Sequence, residues 1–231
     1  MSDTTPFAKK RPILFVLLLA FTLRFAALTS APPGLTHDEA NHGREAISIL
    51  GGNLAFYFPL NYGSEPLYSY IVAGSMEALG ENLFALRFAG AIFGVLTIAL
   101  QYKWVARWFG DERLALYTAA LTAVSYWAIV TSRMALRATL LPFFTLCAVY
   151  FFWRIVDKSE HQSGVASVPP RHQLWSIIGF GFFIAVTLHI SLASRVVWLI
   201  FPAFVLYALL IDRPLFHRIW RPTLIGLLLA G

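Results

Sequence analysis

The chain has 231 residues, 58% of them hydrophobic, 16% aromatic and 13% charged, with a formal net charge of +6 and one cysteine. A soluble core of this size cannot bury so much apolar side chain, so the composition excludes a soluble globular domain and implies a polytopic membrane protein spanned by helices. The basic residues are spread along membrane-flanking loops rather than gathered with aromatics into one patch, which argues against nucleic acid as a partner; Cys147, alone, excludes disulfides and cysteine zinc sites within the chain.

In chain order, a basic cluster, Lys9-Lys10-Arg11, precedes an apolar run from Pro12 to Ser30. The run is long enough to cross a hydrocarbon core of about 30 Å and reads as a retained first span. A patterned first outer loop follows at about residues 31–82, and it opens with Pro32-Pro33-Gly34-Leu35-Thr36-His37-Asp38-Glu39-Ala40. Thr36-x-x-Glu39 is a capping box, predicting a short amphipathic helix from Thr36 to Leu50 that Gly51-Gly52 closes. Ser64-Glu65-Pro66 opens a second helix, with Leu67, Ile71, Val72, Met76 and Leu79 at helical spacing before Gly80. At about 15 residues it reaches roughly 22 Å, short of a crossing, so it is predicted to lie along the membrane interface.

Further spans are predicted at Leu83 to Val105, Leu114 to Val130, Leu140 to Val156, Trp175 to Ile190, Val196 to Ile211, and from Pro222 onward. The seventh is cut off about ten residues in, roughly half a crossing. Residues 1–231 therefore read as an all-α, N-terminal transmembrane module of a longer protein. The stretch from Asp157 to Gln173 reads as a solvated linker, and no internal repeat is found.

Charge orients the chain. If Pro66 to Gly80 lies flat, Lys9, Lys10, Arg11, Lys103, Arg107, Arg113, Arg154, Lys158, Arg171, Arg213, Arg218 and Arg221 all fall on one side, which the positive-inside rule makes cytoplasmic. The N-terminus is then cytoplasmic, and Asp38, Glu39, Glu45, Glu65, Glu77 and Glu81 are all outside. Arg24, Arg44, Arg87, Arg133, Arg137 and Arg195 break the trend by sitting in the outer half, where cations snorkel, pair or serve a site. Arg24 and Arg87, near span ends, suit snorkelling or pairing with loop carboxylates. Arg133 and Arg137, four apart, are expected to share a helix face, and with Arg195 in the next outer turn they form a candidate phosphate site. Pairing with Glu45, Glu77 or Glu81 is the competing reading.

The chain lacks a Walker loop, a dinucleotide fingerprint and an Asp-x-Asp motif, which argues against soluble nucleotide donors. It has no HExxH; His37 and His189 are weak metal candidates whose ordinary reading is a polar contact. Asp38 has two readings. In one it complements the dipole of a capped helix; in the other it is a general base that takes a proton from an acceptor hydroxyl while cations at the same depth stabilise a phosphate leaving group.

The Pro32-to-Ala40 run, Gly63-Ser64-Glu65-Pro66-Leu67-Tyr68, Ala85-Leu86-Arg87-Phe88, and Ser132-Arg133 through Arg137 together resemble bacterial integral-membrane glycosyltransferases. The resemblance is to the protein O-mannosyltransferase and lipid A aminoarabinose transferase group of the GT-C fold, and it covers the chain from Arg24 to about Pro202. It implies an inverting transferase in the bacterial plasma membrane, moving a sugar from a polyprenyl-phosphate donor to a protein or lipid/glycan acceptor. It further implies Asp38 as base, with Glu39 a second catalytic candidate that, like Glu65, would shape the acceptor or metal environment. Arginines of the outer loops, for which Arg133, Arg137 and Arg195 are the candidates, would bind the donor phosphate. A divalent metal is left open as cofactor. The rival reading is a non-enzymatic membrane protein, either a lipid-linked sugar transporter or an inactive subunit; a transporter favours polar residues and broken helices near the bilayer midplane, whereas these charges gather at the outer face.

The topology has a direct test. Cysteines introduced at Asn53 and Asn61 are expected to react with a membrane-impermeant reagent added from outside, and labelling of either only after the cells are opened would defeat the assignment.

Overall fold

The computed structural model describes residues 11–60, 63, 65–160, 171–191 and 194–230. Lys9, Lys10, Asn61, Ser64, Leu192, Ala193, the middle of the expected linker and Gly231 lie outside the described residues. Ten α-helices are described: α1 (Arg11–Phe25), α2 (His37–Leu50), α3 (Leu67–Leu79), α4 (Leu83–Phe109), α5 (Glu112–Val124), α6 (Tyr126–Arg133), α7 (Leu140–Glu160), α8 (Arg171–Leu188), α9 (Arg195–Ile211) and α10 (Arg213–Leu228). The described residues contain no β-strand. The chain divides into two compact units, Met1–Phe143 and Phe144–Gly231, with the boundary in the first turn of α7.

The helix ends follow local chemistry. Thr36 caps α2, with its hydroxyl accepting the Glu39 N–H at 3.3 Å while the Glu39 carboxylate accepts the Thr36 N–H at 3.0 Å. Both halves of the capping box are thus made, and Gly51 and Gly52 close the helix. Pro66 sits at the N-cap of α3, which ends at Gly80 with φ 86°. Asn82 caps α4 by accepting from the Ala85 N–H at 2.9 Å, and Asp111 caps α5 through Arg113 and Leu114. Between them Gly110 takes the left-handed conformation that ends α4.

Two helices, Leu83–Phe109 and Arg137–Asp157, are long and apolar enough to cross a membrane alone, and α5 with α6 make a third if counted as one span bent by 56°. Pro12–Phe25, Gln173–Leu188 and Arg195–Ile211 are apolar but shorter. Large apolar side chains such as Phe15, Tyr117 and Leu210 point outward, as lipid-facing positions do.

The sequence boundaries need several corrections. The span predicted from Leu114 to Val130 is broken at Ser125, whose ψ of 124° is extended. The final helix begins at Arg213 rather than Pro222, because Asp212 accepts from the Leu215 N–H at 3.0 Å and caps it there, with Pro214 in the first turn. The linker is shorter than expected at both ends, since α7 continues to Glu160 and α8 starts at Arg171. Arg133 and Arg137 do not share a helix face: α6 stops at Arg133, Met134 and Leu136 are extended, and Arg137 opens a 3-10 turn ending at Thr139.

In the first unit, small residues let helices close on one another. Ala20, Ala119 and Ala123 meet Ile98 in a buried cluster that joins α1, α4 and α5. α2, α3 and α4 pack in sequence beside it, and the Ser75 hydroxyl of α3 donates to the Ala85 carbonyl of α4 at 2.6 Å. In the second unit the core is aromatic, with Phe152, Phe180 and Phe201 in mutual ring contact at 4.8 to 5.5 Å.

The extended link after α6 passes so close to α4 that only glycine fits at position 90. A Cβ there would lie 2.9 Å from the Met134 carbonyl oxygen and 3.0 Å from that of Ser132, both backbone atoms. Gly90→Ala is therefore expected to destabilise the protein by about 1–3 kcal/mol, read as a lowered unfolding midpoint of the full-length protein in detergent.

Candidate functional site

The two adjacent acids of α2 have opposite surroundings. Successive residues on a helix project about 100° apart, so Asp38 and Glu39 cannot face the same way. Glu39 turns inward and is fully buried, whereas Asp38 stays 60% exposed with the imidazole of His37 beside it at 3.7 Å.

Glu39 is the hub. One oxygen, Oε1, accepts from Arg87 Nε at 2.9 Å and from the Ala135 N–H at 3.1 Å; the other, Oε2, accepts from the Thr36 N–H and hydroxyl and from Arg87 Nη2 at 3.4 Å. Ala135 has a free N–H to give because its segment has left the helix. Burial works to raise the Glu39 pKa, but the hydrogen bonds from Arg87, Thr36 and Ala135 and the charge of Arg87 outweigh it and hold the carboxyl below its ordinary value.

Arg87, also fully buried, uses its whole fork. Besides Glu39 it donates to the carbonyls of Leu28 at 3.0 Å, Pro32 at 2.9 Å and Gly34 at 2.7 Å. Its five N–H groups thus all find acceptors, fixing the path of the Pro32-Pro33-Gly34 lead-in to α2. The expectation that Arg87 pairs with a loop carboxylate is met, and the partner is Glu39.

Arg24 and Arg133 each secure the C-terminal end of another helix. Arg24, buried, donates to the Ala123 carbonyl at 3.1 Å and the Thr122 carbonyl at 3.4 Å, where α5 breaks. Gly94 leaves room for it, since a Cβ there would sit 2.9 Å from Arg24 Nε. Arg133 donates to the carbonyls of Leu23 at 2.8 Å, Ala26 at 2.7 Å, Ala27 at 3.3 Å and Ala31 at 2.7 Å. These contacts hold a turn in which Ala27 has φ 52°, a left-handed conformation that costs about 1–2 kcal/mol in an alanine. Both terminal nitrogens of Arg133, a candidate for the donor phosphate, are thereby engaged in ordering the backbone.

Arg137 has another role. Its Nη1 donates to Glu65 Oε2 at 2.8 Å, with the two side chains 27% and 21% exposed. Glu65, rather than Glu45, Glu77 or Glu81, is its partner. Arg195 is exposed at the start of α9 in the second unit, after Ser194, whose hydroxyl donates to the Thr187 carbonyl at 2.5 Å and to that of Ser191.

Sequence reasoning missed a buried polar seam between α2 and α3. Ser69 Oγ donates to Glu45 Oε2, and His42 Nδ1 lies 3.1 Å from the same carboxylate oxygen and 3.3 Å from the serine. The ring of His42 meets that of Tyr68 edge-on at 5.0 Å. Tyr68 is fully buried, and its hydroxyl has no partner among the described residues; burial and then the negative charge of Glu39 push its phenol up. The i, i+3 spacing of His42 and Glu45 was the available signal.

Among the described residues no three or more of His, Cys, Asp and Glu gather to hold an ion. Glu39 faces Arg87, Glu65 faces Arg137, and His189 Nδ1 lies against the Ala185 carbonyl at 2.8 Å.

The described residues are nearly all helical and largely apolar, with the Glu39 carboxylate of the capped α2 tied to Arg87 of α4, and the fold is of the GT-C type. The family model of the dolichyl-phosphate-mannose-protein mannosyltransferases matches residues 54–227, and the chain belongs to that family. It is 29% identical over 150 residues to the polyprenol-phosphate-mannose–protein mannosyltransferase of Mycobacterium tuberculosis, covering 63% of this chain and 28% of that protein. To the undecaprenyl phosphate-α-4-amino-4-deoxy-L-arabinose arabinosyl transferase of Pseudomonas aeruginosa it is 24% identical over 177 residues, covering 74% and 30%. The chain thus spans under a third of the length of these relatives. Its fold matches the archaeal oligosaccharyltransferase AglB from Archaeoglobus fulgidus, solved with an inhibitory peptide and a dolichol-phosphate, with a TM-score of 0.76 at 18% identity over 99% of this chain and 29% of that one.

The ion pair generates a stability prediction. Removing one partner of a buried pair strands the other, so Arg87→Ala is expected to cost about 3–5 kcal/mol in the unfolding free energy of the full-length protein. Because the folded pKa of Glu39 is depressed, its contribution is fully present above the ordinary carboxylate value of about 4.3 and is lost as pH falls through the lower folded value. Glu39→Gln should remove that part of the acid dependence of the unfolding midpoint; an unaltered acid limb would contradict the assignment.

Proposed function

We propose that the full-length protein transfers a sugar from a polyprenyl-phosphate donor to an acceptor hydroxyl at the outer face of the plasma membrane, with Asp38 as general base. One observation carries this reading: of the two adjacent acids of α2, Glu39 takes both the cap and the ion pair, which leaves Asp38 exposed and, among the described residues, without a structural partner beyond His37. Capping therefore does not require Asp38. Family membership and the donors named for the relatives support the substrate class.

In the proposed reaction Asp38 removes the proton of the acceptor hydroxyl as its oxygen attacks the anomeric carbon. The bond from that carbon to the phosphate oxygen breaks, and the polyprenyl phosphate leaves with the bonding electrons. Inversion follows from attack opposite the leaving group. Positive charge near the departing phosphate lowers the barrier, and Arg137, in the same unit as Asp38, is the candidate to supply it. Glu39, Arg87 and Arg133 act as positioning residues that fix the loop carrying the base. The protein or lipid/glycan acceptor meets the same loop, and the N-terminus is cytoplasmic.

Asp38→Asn separates catalysis from capping. Asparagine keeps the size of the side chain and costs the helix terminus at most roughly 1 kcal/mol of dipole interaction. Transfer by the full-length protein is expected to fall about a hundredfold or more while donor binding and expression stay near wild type. Thr36→Ala, by contrast, should lower stability by about 1 kcal/mol. Undiminished turnover by Asp38→Asn, measured with lipid-linked donor at matched amounts of folded protein, would overturn the assignment in favour of a transporter or inactive subunit.

A further inference from the structure

Four outer-half arginines of the first unit have acceptors, and their commitments differ in kind. Arg24 and Arg87 are buried, and Arg133 is fixed by four carbonyls from the end of α1 and the turn beyond it. Arg137 alone of these four is held by a single contact to an acid, Nη1 to Glu65 Oε2, and its remaining N–H groups have no acceptor among the described residues. The pair is about one quarter exposed on each side, joining the lead-in to α3 to the 3-10 turn after α6 across 72 residues of sequence.

We propose that Glu65 is an internal stand-in for the donor phosphate: its carboxylate occupies Arg137 until a polyprenyl phosphate takes its place, so that donor arrival releases Glu65. This rests on the transferase reading above. The chemistry fits an exchange. A carboxylate and a phosphate monoanion or diester present similar oxygen pairs to a guanidinium fork, and the fork now uses one contact where it can make two. A part-exposed ion pair favours its closed form only modestly, by roughly fivefold, so a phosphate with equal or greater charge displaces it without unfolding anything. Arg87 and Arg133 are unsuited to such an exchange, because losing their carbonyl contacts would free the loop and the end of α1. The released carboxylate lies at the start of α3, the helix that packs against the Asp38-bearing α2. Donor binding thereby frees a hydrogen-bond acceptor on the same loop region that carries the proposed base, which places donor before acceptor in the order of binding.

The test measures binding rather than turnover. Full-length protein in phosphatidylcholine nanodiscs is titrated with undecaprenyl phosphate, with inorganic phosphate and undecaprenol as separate arms. If Glu65 competes for Arg137, the apparent affinity of wild type is scaled down to the small fraction of time the pair is open, so Glu65→Gln should bind undecaprenyl phosphate about fivefold more tightly. Arg137→Gln should bind it about tenfold more weakly, and the double variant should match Arg137→Gln, since no competition is left to relieve. A gain in affinity cannot arise from misfolding. Unchanged or weaker binding by Glu65→Gln overturns the exchange, as does a gain that persists in the double variant or appears with inorganic phosphate or undecaprenol alone. Asp38→Asn should bind as wild type does, so loss of turnover there with intact exchange separates the two proposals. Wild type that binds no undecaprenyl phosphate would defeat both.

Discussion

The first unit depends on one buried ion pair. Glu39 and Arg87 are both withdrawn from water, which costs several kcal/mol per ion unless the surroundings replace what water gave. Here they do: the carboxylate accepts from two backbone amides, a hydroxyl and the guanidinium, and the guanidinium spends its remaining donors on three carbonyls. The partners come from the loop before α2, from α2, from α4 and from the link after α6. Four separate stretches are therefore tied at one point, and the geometry of the Asp38 loop is set by it.

Much of this loop was legible in the sequence because its determinants are local. The capping box, the glycines ending α2 and α3, and the proline opening α3 act within a few residues, and each lies where the spacing predicted. Arginines at membrane depth were recognisable as partnered groups, since a bare cation there is too costly. Their partners were less accessible. Arg137 meets Glu65 across 72 residues, which no local rule selects, and Arg133 meets carbonyls, which carry no side-chain identity at all. The i, i+4 spacing of Arg133 and Arg137 pointed to a shared face, but the chain leaves the helix between them, where the Ala135 N–H bonds the Glu39 carboxylate instead of a helical carbonyl. A tertiary hydrogen bond there overrides helical propensity.

The pair Asp38-Glu39 shows how one dipeptide divides two tasks. A rotation of about 100° between neighbours sends one carboxylate into the protein and leaves the other outside. The inward acid makes the helix terminus and the interhelical tie; the outward acid carries no such burden. On the proposed reading this is how a reactive carboxylate stays available on a well-ordered loop: rigidity is supplied by its neighbour.

The use of carbonyl oxygens as partners has an evolutionary corollary. Arg24, Arg87 and Arg133 bind the main chain of Thr122, Ala123, Leu28, Pro32, Gly34, Leu23, Ala26, Ala27 and Ala31, whose side chains play no part in those bonds. Those positions are free to drift among residues that preserve the backbone path, while lysine in place of arginine would lose the fork that reaches several oxygens together. Across descendants of such a chain, Arg24 and Arg133 would stand as solitary fixed letters with no covarying counterpart, so methods that infer proximity from paired substitutions would overlook some of the strongest ties in the molecule.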